Sequence, residues 1–278
     1  MNETLLELRD LCIRTHQRTL VDGVEIVVRR GKVTAVVGHS GSGKSLSARA
    51  AMGVIDVDPG LVRGSLRYPG LKTGDLFAGV HNRGMKAQRK LMRATAKYRG
   101  GYITYSPQSA SSALNPGRTI GRQLQIAIAR RDTPPSSLAQ EIRRVLEEVG
   151  LPHRASAALP KELSGGMAQR AALALAIAPD PKVMIADEPE TGLDPVLRRV
   201  VTELMLQVAA DHGVALMLIS HNMDTVRRIA DTVVRIGPGG AGVDTEDLAR
   251  APAAAPSGAA PEDEDTEEGP PPRVERSS

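Results

Sequence analysis

Apolar and β-branched residues alternate or run together over residues 4–13 and 22–29, predicting two strands joined through a turn near Asp22 and Gly23. Val33–Val37 is a short apolar run between Gly31 and Gly38, the pattern of a strand buried on both faces. The run SLSARAAMGV after Lys44 predicts a helix. Residues 60–105 are broken by Gly and Pro into short segments and contain a basic helix, Met85–Tyr98. Helical periodicity follows over 118–131, 136–149 and 164–178, so about 85–165 reads as a mostly helical insertion. Strand and helix then alternate: strand Lys182–Asp187, helix Pro195–Asp211, strand Val214–Ser220, helix Met223–Ala230, strand Thr232–Ile236. Such alternation predicts an α/β fold with a mostly parallel sheet between helices. The pattern stops at Gly237, and residues 251–278, rich in Ala, Pro, Glu and Asp, are expected to be disordered.

Composition narrows the classes of function. A chain of 278 residues with 41% hydrophobic content can bury a sizeable core, and no apolar run reaches membrane-span length. The opening MNETLLELRD lacks a basic region leading into an apolar stretch, so no secretory signal is expected and the chain reads as soluble and cytoplasmic. Cys12 is the single cysteine, which rules out an intrachain disulfide and predicts inert core packing. The net charge of +4 is unevenly spread. Residues 251–278 carry seven acids against two Arg, leaving the preceding part at +9, a balance that suits nucleic acid, a membrane surface or phosphates. Base-stacking platforms need aromatics beside the basic groups. The five aromatics, Tyr68, Phe77, Tyr98, Tyr102 and Tyr105, all fall in one window, which argues against a nucleic-acid partner.

Three segments carry chemistry. Gly38, His39, Ser40, Gly41, Ser42, Gly43, Lys44 and Ser45 form G-x-x-x-x-G-K-S between a predicted strand and a predicted helix. That loop turns successive N–H groups toward a phosphate, Lys44 adds charge on the β- and γ-phosphates, and the Ser45 hydroxyl suits Mg2+. In VMIADE, a buried strand delivers Asp187 and Glu188 to its carboxyl end. Asp187 is placed to hold Mg2+, and Glu188 to polarise a water for in-line attack on the γ-phosphate. Leu163–Met167 places Ser164, Gly165 and Gly166 at the start of a second helix, another anion-binding terminus. One triphosphate cannot use two separate cradles of one compact fold. A head-to-tail dimer, in which this loop meets the γ-phosphate held by a partner, resolves that conflict.

The phosphate loop, LSGGM-x-QR and VMIADEP together resemble the ATP-binding subunit of ABC transporters, over about residues 3–237. The resemblance implies a P-loop fold of the ABC type with an N-terminal antiparallel β subdomain, a helical subdomain near 85–165 and a separate tail, 238–278. It also implies ATP hydrolysis with Mg2+ and three further site residues. Gln108 matches the glutamine that touches Mg2+ and the attacking water. Asp194, in GLDP, matches the aspartate that communicates across the dimer, and His221, in LISHN, the histidine at the γ-phosphate. The implied partners are a second ATPase subunit, two transmembrane permeases and an extracellular solute-binding protein, at the cytoplasmic face of a membrane. The stretch from Gln108 to Pro116 resembles the dipeptide, oligopeptide and nickel importer group in particular.

Four departures from the family pattern stand out. Arg14, Thr15 and His16 occupy the place of an adenine-stacking aromatic. Glu190 and Gly192 replace a small polar residue and an Ala, and Asn222 follows His221 where Asp is usual. An acidic tail stands in place of the group's His-Pro-Tyr extension. Two rival readings share the same motifs: a weakly hydrolysing regulatory subunit, and a soluble ABC ATPase acting on nucleic acid.

Overall fold

The computed structural model describes residues 3–247 apart from 109 and 193, so the acidic tail of 251–278 lies outside the described residues. The chain opens with β1 (Thr4–Thr15), β2 (Thr19–Arg29), β3 (Val33–Gly38), α1 (Lys44–Ala51) and β4 (Pro59–Arg67). It continues through α2 (Gly84–Thr95), β5 (Ile103–Ser106), α3 (Ala110–Ala113), α4 (Ile120–Ile128), α5 (Leu138–Glu148) and α6 (Gly165–Ile177). The last part holds β6 (Val183–Asp187), α7 (Pro195–Asp211), β7 (Ala215–Ile219), α8 (Met223–Ile229), β8 (Thr232–Ile236) and β9 (Gly242–Asp247).

Two sheets result. An antiparallel sheet has the order β2-β1-β4, and a six-stranded sheet the order β5-β6-β7-β3-β8-β9. Every pairing in the larger sheet is parallel except β8 with β9. Because successive strand side chains face opposite ways, β6 and β7 feed two cores at once. Val183, Ile185, Ala215, Met217 and Ile219 pack toward α1 and the antiparallel sheet. Met184, Ala186, Leu216 and Leu218 pack with residues of α4, α5, α6 and α7. All ten residues of these two strands are buried, which is why they read as unbroken apolar runs.

Several sequence expectations need correction. The first hairpin does not turn at Asp22 and Gly23; it turns at 16–18, where the Thr15 hydroxyl accepts from the Gln17 and Arg18 N–H groups. Gly23 instead lies within β2 with φ of 68°, where the pairing slips between Leu11↔Val24 and Ile13↔Val21. Regular structure does not end at Gly237 either, because β9 pairs antiparallel with β8. The pattern of apolar positions does not predict β4 or β5. Pro59, Gly60 and Gly64 mask the first, and the second is only four residues long. Since β5 pairs with β6, the stretch 85–165 is divided by a strand of the main sheet.

Cys12 is buried in β1, and burial pushes its thiol pKa up, in keeping with a packing role. Tyr68 packs edge-on to Tyr98 at 5.4 Å and beside Tyr102 at 5.7 Å between ring centroids. These rings belong to the first core rather than to an open stacking surface. Among the described residues no helix is long and apolar enough to cross a membrane.

Candidate functional site

The larger sheet places the C-terminal ends of β3, β6 and β7 side by side, so residues far apart in sequence meet at one edge. β3 runs into the loop 38–43 and then α1. A Cβ at Gly38 would overlap the Ile236 carbonyl oxygen and stand 2.7 Å from the Ser42 hydroxyl, so only glycine fits. Lys44 is 5% exposed, and its ammonium donates to the carbonyls of Gly38 and His39, at 3.0 Å each. It thereby closes the loop from beneath and lies 4.0 Å from Glu188 Oε1. The first turn of α1 carries no acid, so its positive end is uncompensated, and Ser45 is exposed there. Ser42 Oγ is buried with no hydrogen-bond partner among the described residues.

At the end of β6, Asp187 is 5% exposed, and Tyr105 Oη donates to its Oδ2 at 2.7 Å. Burial first, and this bond second, push the Tyr105 pKa up, so the phenol keeps its proton and remains a donor. Glu188 sits in the left-handed region with φ of 46°. For a residue bearing a Cβ that conformation costs about 1–2 kcal/mol. Its N–H bonds the Ile219 carbonyl at 2.9 Å, which anchors it to β7. Three side chains converge on Glu188 Oε2: Gln108 Nε2 at 3.0 Å, Thr191 Oγ1 at 3.2 Å and His221 Nδ1 at 3.5 Å. Gln108, Glu188 and His221 therefore come together over Lys44, at the wall of an open cleft of about 860 Å³.

The second glycine loop sits elsewhere. Ser164 caps α6, its hydroxyl accepting from the Met167 N–H at 3.3 Å, and it is exposed. Asp194 is exposed just before α7, where its Oδ1 accepts from the Val196 N–H at 3.0 Å. Neither Asp194 nor any residue of 163–167 lines the cleft. His16, in the place of the usual aromatic, pairs with Asp58 at 3.0 Å and does not line the cleft either.

Residue patterns do not reveal Tyr105, Thr191 or Gln169. Gln169 is buried on α6 and donates to the Pro189 carbonyl at 2.9 Å, tying the Ser164 helix to the loop after Glu188. They are also silent on Arg235 and Pro238, which line the cleft as well. Only the second residue after LSGGM hints at any of these, as the Gln of M-x-QR.

A family model described as "ABC transporter" matches residues 21–191, more than half of the chain. This chain belongs to the ABC transporter family. Among curated relatives, the ABC protein is 33% identical over 244 residues to the oligopeptide transport ATP-binding protein OppD of Lactococcus lactis subsp. cremoris, covering 84% of this chain and 67% of that one. It is 35% identical over 217 residues to the dipeptide transport ATP-binding protein DppD of Escherichia coli, covering 77% and 62%. Among solved structures, cbiO1 of Clostridium perfringens, described as part of an ABC transporter complex, superposes with a TM-score of 0.69 at 20% identity, over 88% and 89% of the two chains. A bacterial ABC transporter cassette solved as a dimer matches at 0.69 and 20%, over 88% and 99%. These structural likenesses establish the ABC cassette fold; the family match and the sequence relatives establish an ATP-binding subunit of ABC type.

Proposed function

We propose that this ABC ATPase powers import of a small solute, a peptide in the first instance, through two transmembrane permease subunits. It pairs with a second ATPase subunit and receives solute through an extracellular binding protein. It sits as a peripheral protein at the cytoplasmic face, where its basic body faces anionic lipid. The names of the relatives favour peptides as cargo; none of those quoted names nickel, and an uptake assay with peptides and with nickel separates the two.

The observation that carries this reading is the convergence of Gln108, Thr191 and His221 on the carboxylate of Glu188, above the Lys44 loop. The uncapped α1 terminus and the loop of 38–45 cradle the phosphates. The residues present fit Mg2+: the Ser45 hydroxyl, the Gln108 amide oxygen and the Asp187 carboxylate are hard oxygen donors. Mg2+ takes few protein ligands alongside substrate phosphates, so the lack of a larger acidic cluster among the described residues is in keeping. When bound, the ion would neutralise charge on the β- and γ-phosphates. Glu188 then orients and deprotonates the attacking water. Gln108 holds Glu188 from the β5 side, and His221, on the far side, reports the γ-phosphate. Ser164, Gly165 and Gly166 of one subunit, with Asp194, close over the nucleotide held by the other.

Glu188→Gln tests the assignment. ATP turnover by the subunit in complex with its permeases should fall by about 10²–10⁴ while ATP binding persists. Unchanged turnover would remove Glu188 from the mechanism, and a wild-type rate near zero would favour the regulatory-subunit reading.

A further inference from the structure

Glu190 is the least expected residue of the loop that follows Glu188, and its environment is unusual for a carboxyl group. The residue is 3% exposed. Among the described residues no cation pairs with it, and its partners are two hydroxyls. Ser220 Oγ donates to its Oε1 at 2.5 Å, and Thr225 Oγ1 donates to its Oε2 at 3.3 Å. The surrounding wall is otherwise largely apolar, with Met205, Leu206, Leu216, Leu218 and Ile229 beside it. Burying a carboxyl group there is costly unless its few donors are held in place. A fold that keeps such a group ties those donors down.

The two donors flank His221. Ser220 directly precedes His221, and Thr225 lies in the first turn of α8. Ser220 Oγ also accepts from the Asn222 N–H at 3.0 Å. One carboxyl group therefore fixes the backbone on both sides of His221. On its own strand of chain, Glu190 stands two residues beyond Glu188, whose left-handed conformation needs support from its surroundings. The segment carrying Glu188 and the segment carrying His221 are thus joined at two points: the Glu188 N–H on the Ile219 carbonyl, and the Glu190 carboxyl on Ser220 and Thr225. A small polar side chain at position 190 is too short to reach both hydroxyls.

We propose that Glu190 is a positioning residue for hydrolysis, a buried clip that holds His221 within 3.5 Å of Glu188. The inference rests on the reading of Glu188 and His221 as the hydrolytic pair. Glu190 touches neither nucleotide nor water; it acts through Ser220 and Thr225. Its removal should slow the chemical step and leave the nucleotide cradle, built on β3 and α1 rather than on the loop of Glu190, as it was.

The test uses the full chain with its transmembrane partners and reads ATPase kcat, KM and nucleotide affinity, with thermal unfolding alongside. Glu190→Thr should lower kcat about tenfold, with KM and affinity changed by less than about twofold. Glu190→Gln, which keeps an acceptor for Ser220, should restore kcat to within about threefold of wild type. Ser220→Ala should reproduce the loss, and combining it with Glu190→Thr should add little, because both remove one link. If Glu190→Thr does not fold, Thr225→Val takes its place beside Ser220→Ala, because the Ser220 hydroxyl also accepts from the Asn222 N–H, whereas the Thr225 hydroxyl bonds only Glu190 among the described residues. Wild-type kcat in both Glu190→Thr and Ser220→Ala, or losses that multiply in the double variant, overturns the proposal. So does a fall in melting temperature with no separation of kcat from KM. Turnover that survives Glu188→Gln overturns the hydrolytic reading and this proposal with it; turnover lost there but intact in Glu190→Thr and Ser220→Ala overturns this proposal alone.

Discussion

At the scale of single residues, the candidate site holds its carboxyl groups through side chains from neighbouring strand ends. Asp187 and Glu188 are consecutive in sequence but are supported from different directions. Asp187 points back toward β5 and takes the Tyr105 hydroxyl at 2.7 Å. Glu188 leaves the strand through a left-handed step and takes its partners from the loops holding Gln108, Thr191 and His221. Tyr105→Phe keeps the ring's packing and deletes only the donor. A hydrogen bond to a charged group is worth roughly 1.5–3 kcal/mol, and Tyr105 is part-buried, so the variant should lose about 1–2 kcal/mol of stability in urea unfolding. An unchanged midpoint would mean that water replaces the phenol without cost. The LSGGM, phosphate-loop and VMIADE segments are legible because each is contiguous in the chain. Tyr105 is not, because its partnership with Asp187 depends on β5 lying against β6.

At the scale of elements, each site residue is placed by the end of a strand or the start of a helix, and the helices of the helical layer are clamped to one another by polar contacts. Glu141 of α5 bonds Arg144 on its own helix and also Arg131, at 2.7 Å, in the segment after α4. Arg131 in turn donates to the Ala178 carbonyl at the end of α6, at 2.7 Å. The bond to Arg144, with Arg131 contributing, holds the Glu141 carboxyl pKa below its ordinary 4.5. A carboxylate with a depressed folded pKa stabilises the protein above its unfolded pKa and loses that contribution as pH falls through the folded value. Glu141→Gln should therefore be less stable than the parent at pH 7. The difference should close as the pH drops through and below 4.5, read by urea unfolding at a series of pH values. A gap that is constant with pH would assign the effect to packing.

At the scale of the whole molecule, the two glycine-bearing helix starts do not share a cleft. α1 opens onto the cleft with Lys44, Glu188 and His221, whereas Ser164 at the start of α6 is exposed and absent from its lining. A second subunit would bring Ser164 onto that cleft. With MgATP and Glu188→Gln, cysteines introduced as His39→Cys and Ser164→Cys in separate subunits should crosslink. Cys12 is buried, so background labelling should be low. No ATP-dependent crosslink in the assembled transporter would refute the head-to-tail arrangement.

The sequence alone determined what could be written as local pattern: a strand, a glycine loop and a helix in succession, a second helix start with Ser and two glycines, and an apolar strand ending in two acids. Those signals survive because a phosphate loop and a doubly buried strand are each set by a few neighbouring residues. Tertiary structure decided the rest. The strand order β5-β6-β7-β3-β8 brings Tyr105 to Asp187, Gln108 to Glu188 and Ser220 to Glu190, pairs separated by 82, 80 and 30 positions that no local pattern could relate. It also turned an Asp-Gly pair that reads as a hairpin into a bulge, because the ladder with β1 continues on both sides of the pair and outweighs the preference of one dipeptide.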